Sequence, residues 1–185
     1  GHSGVLHNMW FDRVTGSTPD LLAMDQVFAA MVHLAPSIET IPQAIHRSNP
    51  AAFTAALFEF CDTGADFSTF AQFRHGAPPA LPGALELPGA DRQMIERSGT
   101  YSFMTSVDEL ATQQAISVWA RSEGTPLPTL TWVSFSLPDE SGHEAGPYSD
   151  MERSAISDTD RRAQRIIDEV ERAGAIDSTA FLVFA

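Results

Sequence analysis

The sequence predicts an α/β fold with a mainly parallel sheet and helices on both faces. Two capping patterns, at Ser106 and Ser149, open long helix-like segments in the second half of the chain. Apolar, strand-like runs follow them at residues 130–137 and 179–185, and the connections between these segments are short. Helices and strands that alternate with short connections imply right-handed crossovers, and therefore parallel strands.

The first third of the chain predicts short elements. Residues 21–33 have an apolar, helix-like pattern, and residues 37–46 carry isoleucines on one helical face. Residues 51–60 are a continuous apolar run that fits either a strand or a buried helix, because periodicity does not separate the two. We favour a strand, since the turn-rich segment 61–66 follows it directly.

The middle of the chain predicts a long connection and then a helix. Residues 75–105 are rich in Pro and Gly, which is typical of a connection or an insertion. The pattern Ser106-Val-Asp-Glu109 has the form of a capping box, in which the Ser hydroxyl and the Glu carboxylate each accept a bond from a backbone N–H. The predicted helix ends near Ser122, before Gly124 and a proline.

The last third predicts a strand, a loop, a helix and a second strand. Residues 130–137 alternate and are rich in Thr, Trp, Val and Phe, as strands are. After a loop marked by Gly and Pro, Ser149-Asp-Met-Glu152 predicts a second capping box. Residues 179–185 are suited to a buried parallel strand. The helix between them, up to Gly174, has one predicted buried stripe: Ile156, Thr159, Ala163, Ile166, Ile167 and Val170.

Composition narrows the classes of function. The chain has 185 residues, which fits one domain with a substantial core. Its net charge is −13, with 24 Asp and Glu against 11 basic residues, all of them Arg. This balance argues against a nucleic-acid-binding surface, because phosphate backbones need clustered positive charge. The single Cys61 excludes an intrachain disulfide, and no run approaches the roughly 18 apolar residues of a membrane span.

Asp139 and His143 are the candidate metal ligands. They lie four residues apart in the predicted loop after strand 130–137, and ligands of parallel sheets bind beyond the carboxyl ends of the strands. A hard or borderline dication accepts a carboxylate oxygen and an imidazole nitrogen together. Spacing alone is a weak signal, because an Asp in a turn usually caps its own backbone. Residues 62–66 could contact a substrate at the same edge, although a plain turn is the favoured interpretation.

Other polar residues favour structural roles. Asp158 and Asp160 lie close to several arginines, which predicts a solvated, ion-paired helix face. Four histidines have no partner at ligand spacing, so surface or helix-end positions are expected for them: His7, His33, His46 and His75.

Both ends of the chain lead us to expect a fragment of a longer protein. The first eight residues begin without Met and have the composition of a loop. The chain stops at the far end of a predicted buried strand, where α/β proteins usually continue into a turn with functional groups.

The sequence resembles the alkaline phosphatase superfamily, and most closely its type I phosphodiesterase/nucleotide pyrophosphatase branch. Residues 138–149 read Pro-Asp-Glu-Ser-Gly-His-Glu-Ala-Gly-Pro-Tyr-Ser, similar to a loop of that branch that a long helix and a strand follow. In the family that strand leads into an Asp-His-Gly motif, which would begin after Ala185. Residues 2–12 resemble the segment downstream of the family's nucleophilic Thr or Ser.

The resemblance implies a partial alkaline-phosphatase-like catalytic domain over residues 1–185, with the Pro- and Gly-rich stretch around 75–105 as an insertion. It implies a two-metal enzyme, usually with zinc, in which Asp139, His143 and a later His hold one ion. It places the nucleophile upstream of Gly1 and leaves no catalytic residue in this chain, so the chain alone should be inactive. Asn8 falls where the family often has an Asn near the phosphate oxygens. The implied substrate is a small phosphate ester or a nucleotide.

Two alternatives remain open at this stage. The first is another member of the same superfamily: a sulfatase, a phosphonate hydrolase or a phosphomutase. The second is a non-catalytic binding domain that kept the fold and lost the site. The missing nucleophile would separate the enzymes, because sulfatases need a modifiable Cys or Ser.

Overall fold

The fold is known from a computed structural model, which describes residues 9–21, 26, 33–76, 79–120 and 125–184. The chain forms two compact units, one of residues 1–79 with 128–132 and one of residues 80–127 with 133–185. The α/β class and the parallel sheet are confirmed, while the single partial catalytic domain stays a prediction. Among the described residues, no helix has the length and apolar character to cross a membrane.

The first unit contains a small sheet with strand order β2-β1-β3. Strand β1 is buried along its whole length and pairs in parallel with β2, Ala55 opposite Phe67 and Ala56 opposite Ser68. The elements of this unit are helix α1 (Ile41–Ser48), β1 (Thr54–Leu57), β2 (Phe67–Ser68) and helix α2 (Thr69–His75), with β3 (Leu130–Val133) on the other side of β1.

Local signals predicted strand β1 and helix α1 of this unit, while β2 and α2 were not predicted. The strand favoured within residues 51–60 is confirmed as β1, and the turn after it is confirmed around Gly64, whose φ of +84° suits a residue without a Cβ. Helix α1 begins four residues later than predicted, because Thr40 and Gln43 form a capping box there. The helix predicted over residues 21–33 lies largely outside the described residues.

The second unit is built from helices. They are α3 (Arg92–Arg97), α4 (Gly99–Trp119), α5 (Leu137–Ala145) and α6 (Asp150–Arg172), with 3₁₀ turns at Ala84–Glu86 and Ile176–Ser178. Their apolar core contains Met94, Ile95, Tyr101, Leu137 and Ala155.

The predicted capping box at Ser106 is wrong. Helix α4 begins at Gly99, where the Ser98 hydroxyl accepts a hydrogen bond from Tyr101 N at 3.0 Å. Ser106 and Glu109 therefore lie inside the helix, where every backbone N–H already has an intrahelical acceptor. The same Ser-x-x-Glu spacing occurs in helix interiors, so the pattern alone does not locate a helix start.

Two boundaries in the last third also differ from the prediction. Strand β3 ends at Val133, and the predicted loop around residues 138–145 is helix α5, whose Pro138 occupies a first-turn position that proline tolerates. Residues 179–184 form no strand, and the Leu182 and Val183 side chains are 86% and 95% exposed. An apolar run becomes a strand only beside a partner, and none of the described strands pairs with it.

Helix α6 begins as predicted, but its buried face matches the prediction only in part. The Ser149 hydroxyl accepts from Glu152 N at 3.1 Å, while the Glu152 carboxylate accepts from Tyr148 N instead of Ser149 N. The predicted apolar stripe is confirmed at Val170, which is buried, but it is wrong at Ile156, which is exposed. The four predicted positions between them are half-buried. The buried positions of this helix are mostly polar: Ala155, Asp158, Arg162, Glu169 and Val170.

Candidate metal centre

Helix α5 presents Asp139 and His143 to solvent. Leu137 and Ser141 are buried on one side of the helix, at 0% and 2% exposure. Asp139 and His143 each come two residues later, which rotates them by about 200° around the helix axis. Their side chains are accordingly 78% and 76% exposed. The loop prediction was wrong, but the helix keeps both candidate ligands on one accessible face.

The spacing of the two candidate ligand atoms suits one metal ion. His143 Nε2 lies 3.6 Å from Asp139 Oδ1, because residues four apart are neighbours on a helix surface. Two ligands of one tetrahedral zinc, each about 2.1 Å from the metal, lie about 3.4 Å apart. Apart from this pair, neither side chain makes a hydrogen bond or ion pair to a third residue within the described ranges. The donor set and its separation therefore fit a borderline dication such as zinc.

The pair is incomplete as a metal site by itself. Among the described residues, no group of three or more His, Cys, Asp or Glu side chains is arranged to hold a metal ion. A structural zinc site needs four protein ligands and a catalytic one usually needs three. Asp139 and His143 could thus supply two positions of a coordination sphere and no more.

A buried carboxylate caps the start of helix α5. The Ser136 side chain at the N-cap makes no capping bond. Instead, Asp108 on α4 accepts from Ser136 N at 2.8 Å with Oδ1 and from Leu137 N at 3.1 Å with Oδ2. Asp108 is fully buried, and this burial raises its pKa to about 6, although the two N–H donors and the charge of Arg162 act in the opposite direction.

The other end of helix α5 is also held by a side chain of the same unit. Ser98 donates its hydroxyl to Glu144, with both carboxylate oxygens at 2.7 Å. The same Ser98 oxygen accepts from Tyr101 N, so one residue caps α4 and contacts α5. Sequence reasoning missed Asp108 and Ser98. The one signal in the sequence is an Asp inside an apolar helix, and it does not identify the residues to which Asp108 bonds.

A polar network packs α4 against α6. Arg165 donates to both Glu109 oxygens, at 2.6 and 2.8 Å, and Arg162 Nε lies 3.6 Å from Glu109 Oε2. Arg162 also donates to Thr105 Oγ1. Glu109 and Arg162 are buried, at 0% and 1% exposure. The charged groups of this network therefore join two helices.

A second part of this network corrects the prediction for Asp158. Asp158 is buried and pairs with Arg161, so the predicted solvated face is wrong at this position. Tyr101 Oη donates to Asp158 Oδ2 at 2.6 Å, and Asp91 N donates to the same oxygen at 2.9 Å. Burial, reinforced by the hydrogen bond to Asp158, raises the pKa of Tyr101 far above its ordinary value.

Polar side chains of the first unit also form pairs. His46 lies in the last turn of α1, as expected, and its Nε2 lies 3.0 Å from Asp66 Oδ2 and 3.2 Å from Thr54 Oγ1. Asp62 is buried and accepts from Ser68 and from Arg74, the latter at 2.7 Å. These bonds tie the turn after β1 to its neighbours, which supports the structural interpretation of residues 62–66.

Other predicted site residues cannot be placed. Asn8, the candidate near the phosphate oxygens, lies outside the described residues, and so does His7. Asp139 and His143 are therefore the only two residues of the predicted site that the described structure brings together.

Comparison with protein families places the whole chain in one of them. The model of the family described as "Type I phosphodiesterase / nucleotide pyrophosphatase" matches residues 1–185. A comparison with curated proteins found no significant match.

Proposed function

The chain belongs to the type I phosphodiesterase/nucleotide pyrophosphatase family, and from that premise we propose that Asp139 and His143 bind a divalent ion in a phosphate-ester hydrolase. The family supports hydrolysis of phosphate esters. The observation that carries the metal assignment is the exposed Asp139–His143 pair with its 3.6 Å separation. Zinc is the ion proposed, because it accepts this mixture of oxygen and nitrogen ligands.

The proposed role of each side chain follows from its chemistry. Asp139 would supply a carboxylate oxygen, and His143 would supply the Nε2 lone pair of a neutral imidazole. A bound dication would stabilise negative charge on the phosphoryl oxygens and favour ionised water or hydroxyl groups nearby. Helix α5 contributes by presenting both ligands on one solvent-facing stripe, where a charged substrate can approach.

The proposed complete centre is larger than this pair. We propose two divalent ions, a small phosphate ester or nucleotide as substrate, and Asn8 as a group near the phosphate. No residue among 1–185 is assigned as nucleophile, so the 185-residue chain alone is expected to turn over no ester. Asp139 and His143 would serve in a protein that also contains the nucleophile and the remaining ligands.

Zinc titration of the chain tests the metal assignment directly. Imidazole NMR signals assigned by mutation should show the His143 resonance shift with zinc, and His143→Ala should remove that response. Asp139→Asn should weaken it, because an amide oxygen is a poorer zinc ligand than a carboxylate. His75→Ala is the matched control, since His75 is exposed at the end of α2 and lies in the other unit.

Two results would overturn the assignment. One is a folded chain whose His143 signal is unchanged at millimolar zinc. The other is a longer protein, active on p-nitrophenyl phosphate esters, that keeps both its zinc and its rate after His143→Ala.

A further inference from the structure

We infer that Asp108 is a positioning residue for the Asp139–His143 ligand pair, acting through the backbone at the start of helix α5. The inference rests on the proposed function, because it concerns the placement of the proposed metal ligands. Among the described residues, the hydrogen bonds that Asp108 accepts from α5 go to the backbone and not to either ligand. It bonds to the two residues with which the helix begins, Ser136 N at 2.8 Å and Leu137 N at 3.1 Å.

The backbone N–H groups at the start of helix α5 need acceptors from outside the helix. The first N–H groups of a helix have no intrahelical acceptor and need another partner. Ser136 offers no side-chain cap, and Pro138 has no N–H to satisfy. Asp108 therefore takes the place of the missing local cap, with one carboxylate oxygen for each of two N–H groups. A buried acceptor with two fixed donors holds the helix start in one place.

Apolar packing and the bonds to Asp108 together fix the orientation of helix α5. Leu137 and Ser141 pack on the buried side, so rotation of α5 would expose an apolar side chain. The bonds to Asp108 add a constraint along the helix axis, which apolar packing supplies only weakly because it is not directional. Position along the axis and rotation about it together decide where the Asp139 and His143 atoms lie.

A second hydrogen bond holds the other end of helix α5. The Glu144 carboxylate accepts from Ser98 at 2.7 Å, at the other end of α5. Ser98 and Asp108 are ten residues apart, about 15 Å along α4, and Ser136 and Glu144 span about 12 Å along α5. The two lengths are close enough for both anchors to form at once, with α5 running antiparallel to α4. Asp139 and His143 lie between the anchored ends.

The negative charge of Asp108 also acts on the ligand pair. The N-terminus of a helix carries partial positive charge, which disfavours a cation near the first turn, where Asp139 lies. An Asp108 carboxylate that accepts the first two N–H groups offsets this charge. Asp108 therefore favours a dication at the ligand pair by its charge as well as by its hydrogen bonds.

The test compares the zinc affinity of His143 in three folded proteins at pH 7.5. Asp108→Asn keeps the shape of the side chain but can accept only with one atom, so one N–H of the helix start loses its bond. We expect its zinc affinity to fall about tenfold, the lower end of the range for residues that orient metal ligands indirectly. Amide exchange at Ser136 and Leu137 should become faster in the same variant.

Arg165→Met is the control for a loss of stability alone. It removes the two hydrogen bonds by which Arg165 of α6 holds Glu109 of α4, and none of the hydrogen bonds found for Arg165 in the described ranges goes to α5. We expect it to destabilise the protein while zinc affinity stays within about twofold of the wild type. Equal zinc affinity in folded Asp108→Asn and wild type would overturn the inference and leave the metal assignment intact. A wild-type chain in which zinc does not affect His143 would overturn both.

A measurement on the wild type keeps the inference testable if Asp108→Asn does not fold. If the bonds to Asp108 and the metal site share one arrangement of α5, then zinc must slow amide exchange at Ser136 and Leu137. Zinc that shifts the His143 signal but leaves both exchange rates unchanged would overturn the positioning role.

Discussion

Two carboxylate–base pairs in the second unit differ in what surrounds them. Glu109 is buried, and Arg165 donates to both of its oxygens. Asp139 and His143 are each more than three-quarters exposed, with their nearest atoms 3.6 Å apart. A buried charge must be paired to be tolerated, whereas an exposed pair at this distance contributes little to stability. The Glu109–Arg165 pair therefore has a structural role, whereas the Asp139–His143 pair is available to bind a ligand.

The largest effect that would test this comparison is the loss of the buried charge. Glu109→Gln should lower the free energy of unfolding by about 3–5 kcal/mol, because Arg162 and Arg165 lose their counter-charge in a buried position. Urea unfolding measures the change. Glu171→Gln, on the exposed face of α6, is the control and should stay within about 0.5 kcal/mol of the wild type. A small effect of Glu109→Gln would remove the distinction between the two pairs.

The buried carboxyl group of Asp108 should make the stability of the protein depend on pH. Burial raises the pKa of Asp108 to about 6 from the model-peptide value of 3.8, so between these values the folded state holds a proton that the unfolded state has released. The Asp108 contribution to stability is then complete below about pH 4 and falls by roughly 3 kcal/mol as pH rises to 6.

Asp108→Asn provides the comparison for that pH dependence, because it removes the titration and leaves all other groups in place. Unfolding free energies of both proteins, measured from pH 4 to pH 7, should differ by an amount that changes with pH in the direction given. A constant difference across the range would show that Asp108 does not titrate in this window.

A smaller effect is expected from a single buried hydrogen bond. Tyr101→Phe removes the donor that lies 2.6 Å from Asp158 Oδ2 and should cost about 1.5–3 kcal/mol, as hydrogen bonds to charged groups do. Tyr148→Phe is the matched control, since the Tyr148 side chain is exposed. Thermal unfolding of both variants measures the difference. Equal melting temperatures would mean that Asp158 is satisfied without Tyr101.

The sequence predicted those parts of the fold that local signals determine. The β1 strand and the Ser149 cap depend on residues within a few positions of each other, and both were located. The start of α4 was missed, because Ser98 and Ser106 both offer a plausible cap and the choice depends on packing. The apolar run 179–184 was assigned to a strand on its composition, although a strand requires a neighbour that composition does not reveal.

The candidate site divides in the same way. Asp139 and His143 could be found because their four-residue spacing is visible in the sequence and is preserved by a loop or a helix. The buried network could not, since Glu109 and Arg165 are 56 positions apart and hydrophobic patterning predicts apolar side chains where these charges lie. The role of Asp108 could not be predicted for the same reason, because it accepts a hydrogen bond from Ser136 N, 28 positions away in the sequence.

The smallest effect on stability is expected at the ligand pair itself. His143→Ala should change the free energy of unfolding by no more than about 0.5 kcal/mol, because an exposed helical pair four residues apart contributes only a few tenths. The same substitution should abolish the zinc response of the chain. Urea unfolding without metal, followed by zinc titration of the folded variant, separates the two effects. A large loss of stability without metal would mean that His143 has a structural role, as Glu109 and Arg165 do. The two pairs would then no longer differ in function.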